Sequence, residues 1–251
     1  MDIGAKIIYL GIGGSATNDA GLGMLQALGA KFLNDDDADI RPGARDIGNI
    51  TNIDLSGFDD RINGTEFISI CDVKNPFYGP NGATYVYGPQ KGACTEQVLL
   101  IDEMFKRFAD AVNNKLGVDL QSIQGSGAGG GIGGAAAVFL RAEMKSGANW
   151  LIEYSDIEAS IQDADLVITG EGRCDAQTLN GKLPQKIGEI CKKYNTRAIA
   201  ISGDKTINAN AMQQHGIERI YAVTDYFDIY SAVDDAEKCL AETVKHICPD
   251  I

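Results

Sequence analysis

Apolar positions along the 251-residue chain follow two different rhythms. Val98, Ile101, Phe105, Phe108, Val112 and Leu116 recur at helical intervals, with Thr95 placed as an N-cap and Gly117 as a stop. This spacing predicts a helix from Thr95 to Leu116. From about Trp150 onward, short apolar runs at 150–154, 166–169, 198–202 and 219–223 read as strands, separated by helix-like stretches at 184–194 and 208–215. Such alternation predicts βαβ units around a parallel sheet. Val233, Ala236, Leu240, Val244 and Ile247 then form the apolar face of a closing helix.

The first half is less regular. Strand-like runs at 6–10 and 67–71 feed into glycines and polar residues, and three glycine-rich segments lie at 11–23, 79–92 and 125–134. Glycine weakens both helix and strand, so three such segments suggest backbone arranged around a ligand, with tight turns and close packing as the alternative. The fold class expected is α/β: a glycine-rich α/β lobe over 1–146 and a Rossmann-like parallel-sheet lobe over 147–251.

A formal net charge of −13 and a pI near 4.5 exclude sequence-independent nucleic-acid binding and anionic lipid surfaces, which need clustered Lys and Arg. A small anionic substrate remains compatible, because a few focused cations can hold one inside an acidic protein. The six cysteines include no C-x-x-C pair, and His215 and His246 lie in helix-like surface patterns, so a zinc cluster is not expected. No apolar run approaches the ~20 residues of a membrane span, and the start has no signal-peptide pattern. Reduced thiols in a cytoplasmic protein are the expectation.

Three motifs carry candidate chemistry. GIGGSATND, residues 11–19, follows a strand as an anion cradle would. Its Gly11-x-Gly13-x-x-Ala16 also fits the dinucleotide fingerprint, with Asp35 to Asp37 at the distance of a ribose carboxylate, so an NAD-dependent dehydrogenase is a rival. Against it, Ser15, Thr17, Asn18 and Asp19 load the loop with polar side chains. Gly125-x-Gly127-x-x-Gly130 matches as well without a clear preceding strand, and no complete Walker A motif is present. A second segment, residues 71–93, is a long irregular loop carrying Asp72, Lys74, Asn75 and Lys91. The third, ADLVITGEGRCDAQTLNGKLP at 164–184, delivers Glu171, Arg173, Asp175, Gln177 and Lys182 to the carboxyl end of a strand, where open parallel sheets gather ligands. Phosphoryl transfer needs that inventory of carboxylates and cations, although an ion-paired surface loop would look similar.

GIGGSATNDAGLGMLQALGAKFL, CDVKNPFYGPNGATYVYGPQKGA, GSGAGGGIGG and DLVITGEGRCDAQTLNGK, taken together and in this order, resemble the class I glycerate kinases over nearly the whole chain. The resemblance implies ATP- and Mg²⁺-dependent phosphorylation of D-glycerate by a two-lobed α/β protein in which one lobe is inserted into a Rossmann-like one. On this reading Asp175 is the leading general base or metal ligand, and Glu171 and Asp72 are alternative metal ligands. Lys91, Arg173 and Lys182 clamp phosphate or carboxylate. Gly13, Gly14, Ser15, Asn18, Asp19, Asn75 and Gln177 bind substrate or nucleotide. The family pattern opens with a further N-terminal segment upstream of the first motif. Impaired turnover of this chain by itself, self-association, or complementation by such a segment are therefore expected, and a non-catalytic remnant that binds a ligand or partner is the other rival.

Overall fold

A computed structural model of the chain describes residues 1–176, 178–179 and 181–250, without the side chains of Ala209 and Asp250. The chain forms two compact units, Met1–Gly147 and Ala148–Ile251.

In the first unit the elements run β1 (Ile7–Gly11), α1 (Leu22–Ala27), β2 (Lys31–Leu33), β3 (Asn52–Asp54), β4 (Glu66–Ile70), α2 (Ala83–Tyr87), α3 (Thr95–Leu116), α4 (Ile132–Phe139) and β5 (Glu143–Lys145). Strands β1, β4 and β5 form a parallel sheet in that order, with Gly11 opposite Ile70 and Ile70 opposite Lys145. The segments after these three residues consequently leave from one end of the sheet. Strands β2 and β3 pair as an antiparallel ribbon.

Helix α3 buries Val98, Phe105, Phe108, Ala109 and Val112, the face that its spacing predicts. Phe77 meets Phe105 at 5.0 Å between ring centroids, and Phe32 meets Phe108 at 5.8 Å, so aromatic packing anchors the helix to the core. The helix begins one residue earlier in its capping than Thr95 suggests: Cys94 is the N-cap, and its N–H donates to Gln97 Oε1 at 2.9 Å. It ends at Gly117, whose φ of 70° is the left-handed stop that glycine adopts without steric cost.

The second unit contains α5 (Gly147–Ser155, starting at the boundary), α6 (Ile157–Gln162), β6 (Leu166–Cys174), α7 (Leu183–Tyr194), β7 (Arg197–Lys205), α8 (Ala209–Gln213), β8 (Arg219–Ala222), α9 (Ile229–Asp234) and α10 (Ala236–Ile247). Strands β6, β7 and β8 form a parallel sheet with β7 central. Residues 198–202 of β7 are all buried, as expected for a strand covered on both faces. One face packs Ala198 and Ala200 against Ile187, Cys191 and Met212, and the other packs Ile199 and Ile201 against Tyr221 and Ile247.

Four sequence expectations change here. Residues 150–154 are helical, not a strand. Trp150 and Tyr154 stack at 5.1 Å, a contact that spacing of four allows on a helix. The helix expected over 208–215 is confined to α8, capped by Asn208 Oδ1 accepting from Asn210 N–H at 3.0 Å, and His215 falls in the turn that follows. The closing helix is two helices broken at Asp235, and α10 buries Cys239, Thr243 and Ile247 while Val233 is 71% exposed. Finally, β6 and β7 extend through 174 and 205, so Glu171, Arg173, Asp204 and Lys205 stand on strands rather than in loops. All six cysteines are free thiols. Among the described residues no helix is long and apolar enough to cross a membrane.

Candidate active site

Within the first unit, the segments leaving the carboxyl ends of β1 and β4 enclose a cleft of about 370 Å³. Gly13, Gly14, Ser15, Asp72 and Lys91 line it, together with Cys71, Tyr87 and Gln90. Lys91 is half-buried, and its Nζ donates to Ser15 Oγ at 2.9 Å and to the Thr17 carbonyl at 2.5 Å. Both acceptors are neutral, and among the described residues the ammonium makes no ion pair. Burial therefore pushes its pKa below the usual lysine range, opposed more weakly by the charge of Asp19. An ammonium has three donors, so a bound oxyanion would complete the set and supply the missing charge.

Asp72 follows the neighbouring strand, β4, at the same end of the sheet. Its Oδ1 accepts from Gly147 N–H at 2.8 Å and from Ser146 Oγ at 3.0 Å, which ties the carboxylate to the segment after β5. The other predicted residues of this unit serve the walls. Asn18 Nδ2 donates to Thr84 Oγ1 at 3.1 Å. The two oxygens of Asp19 accept from the N–H groups of Gly21 and Gly23, each at 3.1 Å, and so fasten the start of α1. Asn75 bridges Asn81 O at 2.8 Å and Tyr87 OH at 2.7 Å. Asn18, Asp19 and Asn75 are not among the cleft-lining residues.

The glycine segments divide in the same way. A Cβ on Gly13 or Gly14 would meet nothing within 4 Å, so that backbone is open to a ligand. A Cβ on Gly127 would lie 2.1 Å from Pro76 O, and one on Gly130 would lie 2.2 Å from Thr17 O. The 125–134 run is therefore glycine mainly so that neighbouring backbone can approach, and its dinucleotide-like pattern is a packing pattern.

In the second unit, Glu171 and Arg173 stand on β6, and the turn that follows brings Lys182 against Glu171 with Asp175 nearby. Lys182 Nζ lies 2.8 Å from Glu171 Oε1, and this contact raises the lysine pKa. Glu171 Oε2 accepts from Thr178 Oγ1 at 2.9 Å. Thr178 Oγ1 in turn accepts from Asp175 N–H at 3.1 Å. Arg173 Nε pairs with Asp204 Oδ2 at 3.3 Å across the β6–β7 register, and Asp204 Oδ1 accepts from Thr224 Oγ1 at 3.1 Å. Gln177 lies outside the described residues.

A magnesium ion is commonly held by one or two carboxylates together with substrate phosphates. Glu171 does not fit that role as arranged, because both of its oxygens are engaged by Lys182 and Thr178. No group of three or more metal-ligating side chains occurs among the described residues. Thr178 and Tyr87 were not singled out by sequence reasoning. A threonine seven positions after a glutamate has no periodicity to mark it, and Tyr87 sits in an ordinary helical apolar run.

The model of the glycerate kinase family matches residues 1–251. The chain is 39% identical to a glycerate kinase of Bacillus subtilis strain 168, over 100% of this chain and 66% of that protein. It is 41% identical to a glycerate 2-kinase of Escherichia coli K12, over 89% of this chain and 58% of the relative. A crystal structure of a candidate glycerate kinase 2 from Salmonella typhimurium LT2 superposes with a TM-score of 0.76 at 38% identity, covering 96% of this chain and 62% of that one. This chain thus spans 58–66% of the length of these curated relatives. The matches lend the dehydrogenase reading no support, and the fold is the mixed α/β one with parallel sheets that the sequence pattern predicts. The chain belongs to the glycerate kinase family.

Proposed function

We propose that the protein transfers the γ-phosphoryl group of ATP to a hydroxyl of D-glycerate in the cytoplasm, with Mg²⁺ entering on the nucleotide's phosphates. The observation that carries this reading is Lys91, a half-buried ammonium held in a glycine-walled cleft by two neutral oxygens. A carboxylate or phosphate is the chemistry that satisfies it. In the transfer, the acceptor hydroxyl loses its proton, its oxygen bonds to phosphorus, and the bond from phosphorus to the ADP oxygen breaks. Such a transition state asks for positioning and charge stabilisation rather than covalent help. Asp175 is assigned as the proton acceptor, with Asp72 as the alternative, and Lys91, Arg173 and Lys182 as the cations that meet carboxylate and phosphoryl oxygens. Gly13, Gly14 and Ser15 contribute cleft wall. The lobe boundary proposed is near residue 147, with the second unit as the Rossmann-like lobe.

The test is ADP formation by the purified chain, dependent on both Mg·ATP and D-glycerate, alongside thermal shifts with each ligand. Saturation at a hundred times the dissociation constant stabilises a fold by about 2.7 kcal/mol. Glycerate-dependent ADP formation supports the reading. Stabilisation by Mg·ATP or glycerate without turnover favours a ligand-binding role, and stabilisation by NADH but neither of these would reinstate the dehydrogenase.

A further inference from the structure

Thr178 is fully buried within a segment otherwise rich in charge. Its hydroxyl has one proton to give. Asp175 N–H is a donor and points at Oγ1 from 3.1 Å, so the hydroxyl accepts there and must spend its own proton on Glu171 Oε2, 2.9 Å away. The direction of the chain is thereby set: backbone N–H to hydroxyl to carboxylate. Thr178 N–H also returns to the Asp175 carbonyl at 2.9 Å, closing the turn on itself. With Oε2 held, Glu171 presents Oε1 to the Lys182 ammonium at 2.8 Å.

We propose that Thr178 is a positioning residue whose buried hydroxyl fixes Glu171 as the counter-ion that aims Lys182, so that Glu171 serves the lysine and not a metal. The functional consequence rests on the kinase reading given above, but the geometry does not. A freed Glu171 side chain would sample several rotamers, and a lysine paired to a mobile carboxylate would spend more of its time detached. Thr178→Val removes the hydroxyl and keeps the branched shape, Thr178→Ser restores the hydroxyl, and Thr178→Ala removes it without adding bulk.

Lysine accessibility to an acylating reagent, read by peptide mass spectrometry, tests the inference on the full chain. Lys193 and Lys205 serve as internal references, being paired with Glu158 and Asp225 elsewhere in the same unit. In Thr178→Val, Lys182 should acylate several-fold faster while the two references stay constant, and Thr178→Ser should return Lys182 to its original rate. In the phosphorylation assay the same valine variant should lose kcat more than it raises KM for glycerate. Unchanged Lys182 labelling in Thr178→Val overturns the inference. So does a rise at Lys193 and Lys205 equal to that at Lys182 in both the valine and alanine variants, since the hydroxyl would then be a general support of the unit. If the original chain forms no ADP even when complemented by the N-terminal segment of a related kinase, the kinase reading falls while the labelling still decides the role of Thr178.

Discussion

Lys91 and Ser15, 76 positions apart in the chain, are joined by a 2.9 Å hydrogen bond from ammonium to hydroxyl. This bond makes one wall of the cleft from two glycine-rich segments, and it leaves a positive charge without an anionic partner among the described residues. A charge-assisted hydrogen bond contributes roughly 1.5–3 kcal/mol. Lys91→Met should therefore weaken glycerate or Mg·ATP binding by about ten- to a hundredfold. Isothermal titration against each ligand checks this and reports which of the two depends on Lys91. Equal affinity for both would remove the lysine from the site.

Gly13 and Gly130 should respond to alanine in opposite ways. Gly130 has φ of 68°, and its added Cβ would press on Thr17 O and Asn18 Cα. The left-handed conformation costs a non-glycine residue roughly 1–2 kcal/mol, and overpacking adds roughly 1–3 kcal/mol. Gly130→Ala should thus destabilise the first unit by about 2–5 kcal/mol in urea titration. Gly13→Ala meets open space, so it should leave stability within about 0.5 kcal/mol and instead reduce ligand affinity. Equal losses of stability in both would contradict the division into open and packed glycines.

Asp102 on α3 gives a pH signature. Its two oxygens accept from Gly79 N–H at 2.9 and 3.0 Å, holding the 71–93 segment to the helix. Burial raises its pKa, and the Gly79 hydrogen bond opposes that only in part. The folded protein accordingly binds the proton more tightly than the unfolded chain, and the ionised form detracts from stability. That cost is present above the folded pKa and is relieved as pH falls through it. Asp102→Asn keeps an oxygen for Gly79 and never carries the charge. Its stability advantage over the original protein should be largest near neutrality and shrink toward about pH 4. Denaturation midpoints at the two pH values decide the matter, and an advantage that grows on acidification would reverse the sign.

Helix α3 was legible because six apolar residues held one period and a glycine ended it. The strands of the second unit were legible by alternation, and so was the gathering of charge at their carboxyl ends. Residues 150–154 were not, because a run of three apolar or aromatic residues, Glu153 and then Tyr154 is too short to carry a period that separates a helix from a strand. The face expected of the closing helix held only at Val244 and Ile247, since the break at Asp235 resets the phase and brings Cys239 and Thr243 into the core in place of Val233, Ala236 and Leu240. In the site, charged residues announced their positions but not their partners. That Asp19 serves the start of α1, or that Thr178 ties Glu171 to Asp175, depends on backbone turns that composition does not encode.

Ile168 tests the surface of the second unit. It lies mid-strand on β6, at the edge of the three-stranded sheet, directly opposite Ile199 of β7, yet it is 54% exposed whereas Ile199 is 1% exposed. Parallel sheets are usually covered on both faces, and the first part of β6, residues 166–169, carries no charge to keep an edge strand from pairing with another chain. The purified protein should consequently self-associate as its concentration rises. Ile168→Lys places a charge on that edge and should shift sedimentation toward the monomer, while the far-ultraviolet circular dichroism and the denaturation midpoint stay close to those of the original chain, because the residue it replaces already faces solvent over half its surface. A chain that sediments as a monomer throughout, or an association that Ile168→Lys leaves intact, would show that this strand edge is not the surface responsible.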